Sequence, residues 1–161
     1  KRKKKFIMTT NKEVFIIAHN IRSLYNIGTM FRTADAMGVD RLFLTGYSGQ
    51  PPRKEISKVA LGAEDSVPWQ HYKNLSYLLK KLKSRGVNIV ALEIDDKAKN
   101  YLDFKPKFPL ALIVGNEVSG VSKSIIDKVD QTIYLPMHGI KESLNVGVAM
   151  AVAGYHIISH R

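Results

Sequence analysis

Short apolar runs alternate along this chain with stretches whose apolar residues recur every three or four positions. That alternation leaves few architectures open. Val14 to Ala18, Arg41 to Thr45, Asn88 to Leu92, Leu110 to Val114 and Thr132 to Leu135 read as buried strands, and Val67 to Gln70 as a further short one. Between them, Ile27, Met30, Phe31 and Ala34 fall at i, i+3, i+4 and i+7 of a helix that Gly38 would end. Leu75, Leu78, Leu79 and Leu82 mark a second helix, stopped by Gly86, whose other face carries Lys80, Lys81, Lys83 and Arg85. Shorter helices are expected over Glu55 to Leu61 and Lys123 to Val129, and a last one over Leu144 to Ile158. Strands and helices in alternation predict an α/β fold, a mostly parallel sheet flanked by helices.

The 161 residues suit a single domain over 13–161, preceded by a basic tail over 1–12. There is no cysteine, which excludes a disulfide framework and thiolate zinc sites, and the five histidines show no metal-ligand spacing. No apolar run reaches the ~18 residues of a membrane span, and the basic N-terminus has no apolar segment of the kind a signal peptide carries. The formal net charge is +11, five of those charges lying in Lys1 to Lys5, and the remainder is still basic. Such a surface favours a polyanion, RNA or DNA before membrane, over a mere solubility charge.

The last helix, "LNVGVAMAVAGYHII", is apolar almost all round, with small residues at Gly147, Ala149, Ala151, Ala153 and Gly154. Each face then needs cover. A second copy of the chain would supply it and so make a homodimer; the other reading is a helix sandwiched within one chain.

Ligands of parallel sheets bind outside the carboxyl ends of strands. The loops after Leu92, Val114 and Leu135 are therefore the candidates. Gly115 lets backbone approach a ligand. Leu135, Pro136 and Met137 offer an apolar wall, and Ser143 either caps the last helix or faces a ligand. Asn26 and Arg32 lie six apart, too far for one tight patch on a helix; a helix cap and a solvent-facing arginine are their plain structural readings. The glycine fingerprints of dinucleotide and nucleoside-triphosphate sites are absent, and so is the serine-hydrolase elbow.

Three stretches in order, "NIGTMFR" (26–32), "VGNEVSGVS" (114–122) and "LPMHGIKESLNV" (135–146), resemble the motifs of the SpoU (TrmH-type) RNA 2′-O-ribose methyltransferases of the SPOUT superfamily. The resemblance runs from about Val14 to Ile158. It implies a C-terminal deep trefoil knot, an exception to the general avoidance of knots, whose loops form a pocket for S-adenosylmethionine. Leu92, Gly115, Asn116, Leu135, Met137, Ser143 and Leu144 would then bind the cofactor, with the adenine held largely by backbone of Gly115, Leu135 and Leu144. Asn26, Arg32, Glu117, Ser143 and Asn145 would be the catalytic set, Arg32 lying at the ribose 2′-hydroxyl. An arginine stays protonated in proteins, so it serves better as a cation beside a developing alkoxide than as a base. The resemblance also implies a cytoplasmic homodimer acting on RNA, tRNA ahead of rRNA. The rival is a non-catalytic RNA-binding protein that keeps the knotted fold. Two departures bear on the RNA target: Val118 stands where many relatives have glycine, and "GYSGQPPRKEISK" (46–58) forms a distinctive loop.

Overall fold

The computed structural model describes residues 11–161, so the basic run Lys1 to Lys5 lies outside the described residues. The elements follow as β1 (Val14–His19), α1 (Leu24–Met37), β2 (Arg41–Thr45), α2 (Lys54–Ala60), α3 (Ala63–Ser66), β3 (Trp69–Tyr72) and α4 (Leu75–Lys83). Then come β4 (Asn88–Leu92), β5 (Lys99–Asn100), β6 (Leu110–Val114), α5 (Lys123–Ile126), β7 (Gln131–Tyr134) and α6 (Val146–Ile158). The strands form one sheet in the order β3-β2-β1-β6-β4-β7-β5. Every strand pair in it is parallel.

Helices cover both faces, which is why β2 and β6 are apolar-rich runs buried along their whole length. Successive residues of β1 point to opposite faces. Ile16 and Ala18 join a core with Ile27 and Phe31 of α1 and Met150 and Ile157 of α6. Phe15 and Ile17 join a second core with Leu78 and Leu82 of α4 and Ile125 of α5. Ser23 caps α1 by accepting from the Asn26 N–H, and Gly38 ends it in the left-handed region at φ 66°, as the spacing predicts.

Several boundaries differ from the sequence reading. The short third strand is displaced to Trp69–Tyr72 because Val67 closes α3, its N–H bonded to the Ala63 carbonyl. The last helix starts at Val146, two residues later than read, because Asn145 caps it. The four-residue α3 and the two-residue β5 carry no apolar periodicity, so nothing in the sequence marked them.

The small residues of α6 also find a different use. A Cβ on Gly147 would lie 2.9 Å from the Thr29 methyl, and one on Gly154 would lie 2.5 Å from the Met37 sulfur. These glycines let α6 lie against α1 of the same chain, and Ala153 is fully buried there. What stays open is another stripe of α6, where Val148, Val152 and Tyr155 are 48%, 37% and 51% exposed.

Candidate active site

The carboxyl ends of β4, β6 and β7 enclose a cleft of about 210 Å³. The residues named above for cofactor binding all line it: Leu92 from the first loop, Gly115 and Asn116 from the second, and Leu135, Met137, Ser143 and Leu144 from the third. Glu93 and Glu142, which the sequence reading missed, line it too. With Glu117 also on the lining, the wall is apolar side chains, glycine backbone and three carboxylates. That donor set fits S-adenosylmethionine, which has a flat base to enclose and two positive centres. The enclosed volume is below the roughly 300–1,000 Å³ of a complete small-molecule pocket, because positions 138–145 of its rim are all exposed.

The loop after β6 is closed on itself. Asn116 and Gly120 exchange backbone hydrogen bonds of 3.2 and 2.9 Å. A Cβ on Gly115 would stand 2.5 Å from the Gly120 carbonyl carbon and oxygen, so a glycine is required here by the protein's own backbone before any ligand. From below, the Glu93 carboxylate accepts from the N–H of Val121 and of Ile94, both at 2.9 Å. Gly120 sits at φ 67° directly against it.

Asn116 lines the cleft, yet its side chain is used internally. Its amide donates to the Asn20 carbonyl at 3.0 Å and the Tyr47 hydroxyl at 2.8 Å, while its oxygen accepts from the N–H groups of Val118 and Ser119. With its backbone N–H bonded to Gly120 as well, only the second lone pair of the Asn116 carbonyl is open to a ligand. Asn20, at φ 54°, completes the arrangement by accepting from the Tyr47 N–H at 3.2 Å.

Asn26, Glu117 and Asn145 form one chain of hydrogen bonds across three segments. Glu117 accepts from the N–H of Arg22 and of Ser23, each at 2.8 Å, and from the Asn26 amide at 3.0 Å. The Asn26 oxygen accepts from the Asn145 amide at 3.2 Å, and the Asn145 oxygen caps α6 through the N–H of Gly147 and Val148. Burial pushes the Glu117 carboxyl up. The backbone donors, chiefly at Arg22 and Ser23, and the Asn26 amide outweigh it, so the carboxyl lies below its ordinary value. Asn26 is therefore not a helix cap, and Ser143 does not cap α6.

The network holds the start of α1, the β6 loop and the start of α6 in one geometry. Sequence separations of 91 and 119 residues hid it. Arg32 stands apart from this cluster. Its side chain is exposed, makes no hydrogen bond or ion pair among the described residues, and does not line the cleft. Six helical residues carry it about 9 Å along α1 from Asn26.

A parallel α/β sheet with its cleft built from glycine-bearing loops, and no glycine-rich fingerprint, defines a class of ligand-binding proteins distinct from the dinucleotide folds. Within it, this chain belongs to the SpoU rRNA Methylase family, whose model matches residues 13–155. It is 31% identical over 96% of its length to the tRNA (guanosine(18)-2'-O)-methyltransferase of Aquifex aeolicus, 73% of which it covers. It is 33% identical over 93% of its length to the 23S rRNA (guanosine(2553)-2'-O)-methyltransferase RlmP of Bacillus subtilis. The chain spans 59% of that relative's length. In fold it matches the SpoU methyltransferase AviRb from Streptomyces viridochromogenes in complex with the cofactor AdoMet, with a TM-score of 0.86 and 24% identity. That match covers 96% of this chain and 60% of the other. Among the described residues, no helix is long and apolar enough to cross a membrane.

Proposed function

We propose that this chain is an S-adenosylmethionine-dependent RNA methyltransferase that modifies a ribose 2′-hydroxyl. The observation that carries this reading is the meeting of its motifs at one place. Asn26, Glu117 and Asn145 bond one another beside a cleft lined by Gly115, Leu135, Met137 and Leu144, in a chain of the SpoU family. The relatives named above act, by their names, on tRNA and on rRNA; tRNA is the substrate we favour. An RNA partner is also the ground on which we place the protein in the cytoplasm. The trefoil knot belongs to the same proposal, its loops being those after β6 and β7 that share the cleft.

Backbone of Gly115, Leu135 and Leu144 would hold the adenine, with Leu92 and Met137 supplying apolar lining to the same cleft. When bound, S-adenosylmethionine supplies a methyl group on a positively charged sulfur. The chain's own tasks are then to place the RNA hydroxyl and to stabilise the oxygen as its proton leaves. Asn26, Glu117 and Asn145 act as positioning residues, because their polar atoms are spent on one another. Ser143, exposed at the rim without a hydrogen bond among the described residues, is free to meet substrate or cofactor.

Arg32 is the cation for the alkoxide, and a second copy of the chain would bring it to a cleft. Tyr25, Arg32 and Ala36 are exposed on one side of α1, and α1 packs against α6, where Val148, Val152 and Tyr155 are exposed. An apolar stripe with a cation beside it suits an isologous dimer. Val152→Glu should therefore yield monomers by light scattering, since an unpaired charge would be buried in the interface; a monomeric unaltered protein at micromolar concentration would remove the dimer.

The decisive experiment incubates the protein with labelled S-adenosylmethionine and unmodified bulk tRNA or rRNA, then maps the methylated ribose. Arg32→Ala should bind both partners yet lose on the order of 10²–10³ in single-turnover rate. Near-normal transfer by that variant at saturating RNA would demote Arg32 to a binding residue.

A further inference from the structure

We propose that Tyr47 is a base-stacking residue that seats the RNA beside the cleft, a reading that rests on the proposed RNA methyltransferase activity. Tyr47 lies in the loop between β2 and α2, outside the three family motifs. Tyr47 is 62% exposed, an unusual state for a large residue that is also held at both ends. Its hydroxyl accepts from the Asn116 amide at 2.8 Å, and its N–H donates to the Asn20 side chain at 3.2 Å. Asn116 is itself fixed by three further hydrogen bonds.

The backbone around Tyr47 is anchored as well. The Gly46 N–H bonds the Tyr72 carbonyl at 3.1 Å. The buried Ser48 hydroxyl donates to the Ala18 carbonyl and accepts from the Ile21 N–H. An aromatic plane fixed in this way offers a face to solvent without losing side-chain entropy when something lands on it. It stands one hydrogen bond from Asn116, which lines the cleft, so whatever covers it is a near neighbour of the reacting group.

The charge around it selects the occupant. Arg22, whose N–H binds Glu117 of the same cleft loop, has an exposed side chain; Arg53, 3.7 Å from the Glu55 carboxylate, ends the Tyr47 loop and Lys54 opens α2, both exposed. An exposed aromatic held at the cleft, with exposed cations on its own loop and on the segment bonded to Glu117, matches a nucleobase and its phosphates. Stacking tolerates any base, so Tyr47 would position a flanking nucleotide, and specificity would come from elsewhere. The exposed apolar stripe assigned to the dimer lies on α6, whereas Tyr47 is fixed to the β1 and β6 ends.

The test uses the full protein with unmodified bulk tRNA and with a short oligoribonucleotide containing 2-aminopurine, whose fluorescence is quenched on stacking. Tyr47→Ala should weaken RNA binding by on the order of ten-fold and lose the quenching. S-adenosylmethionine affinity, circular dichroism and oligomeric state should stay unchanged. Tyr47→Phe keeps the ring without the hydroxyl, and should retain most of the affinity and quenching. Wild-type affinity in Tyr47→Ala would overturn the proposal. So would Tyr47→Phe failing as badly as Tyr47→Ala, which would make the bond to Asn116 the operative feature, or a change of oligomeric state in Tyr47→Ala, which would make the ring a subunit contact. If the unaltered protein binds no RNA, the methyltransferase reading itself falls, and Tyr47 with it.

Discussion

The two loops that enclose the cleft from β6 and β7 are built in opposite ways. Residues 115–121 are tied down by Glu93, by the Asn116 side chain and by the bonds that Glu117 accepts from the start of α1. Positions 136–144 make no hydrogen bond among the described residues and are mostly exposed, Ile140 to 98%; only Asn145, at their end, is anchored. One loop is a finished floor. The other is a rim whose polar groups and apolar side chains are left for a ligand to organise. A site divided in this way can hold its cofactor in fixed register on one side and close over it from the other.

Substitutions of equal size should therefore give unequal results in the two loops. Gly115→Val should be the most damaging, costing on the order of 3 kcal/mol or more, because its side chain would drive into the Gly120 carbonyl. Gly139→Val, with nothing within 4 Å of the added Cβ, should leave the melting temperature nearly unchanged. Thermal unfolding of the pair measures the contrast directly, and equal destabilisation would erase it. It also means that lost cofactor binding in Gly115→Val would reflect a broken loop as much as a blocked pocket.

Glu117→Ala comes next. It leaves two backbone N–H groups and the Asn26 amide without their acceptor, and should cost about 1–3 kcal/mol, the lower end applying because the carboxylate is only partly buried. Its pH dependence sharpens the point. Hydrogen bonds hold the folded carboxyl below its unfolded value, so this stabilisation is complete above about pH 4.3 and fades as pH falls through the folded value. Chemical denaturation should show wild type and Glu117→Gln separated by a constant margin from neutral pH down to about pH 5, converging only in acid. A margin that shrinks already near pH 6 would mean that another group holds the loop.

The smallest structural effect is expected from Ser143→Ala in the open rim. Stability should change by less than about 0.5 kcal/mol, since no partner is lost. Calorimetric S-adenosylmethionine affinity or the methyl-transfer rate should fall all the same. If stability falls and both functions stay intact, the rim is a structural element and the comparison of the two loops fails.

Much of this was legible in the residues themselves. The alternation of apolar runs with helical spacing set the parallel α/β architecture, and Gly38 ended α1 where the spacing placed it. The three motifs named the family and put the cofactor candidates on the loops that now line one cleft. These are local properties: strand and helix periodicity act over a few residues, and a motif needs only its own segment to be read.

Only the tertiary structure decided what each residue does. Asn26, Glu117 and Asn145 look alike as polar motif residues, yet they serve one another across separations of 91 and 119 positions, and no spacing rule reaches that far. Asn116 turns its side chain to Asn20 and Tyr47, Gly115 yields to the Gly120 carbonyl, and the glycines of α6 serve α1. Each outcome depends on which backbone the fold carries to within 3 Å. Close packing decides that, and it becomes definite only when all the elements are in place.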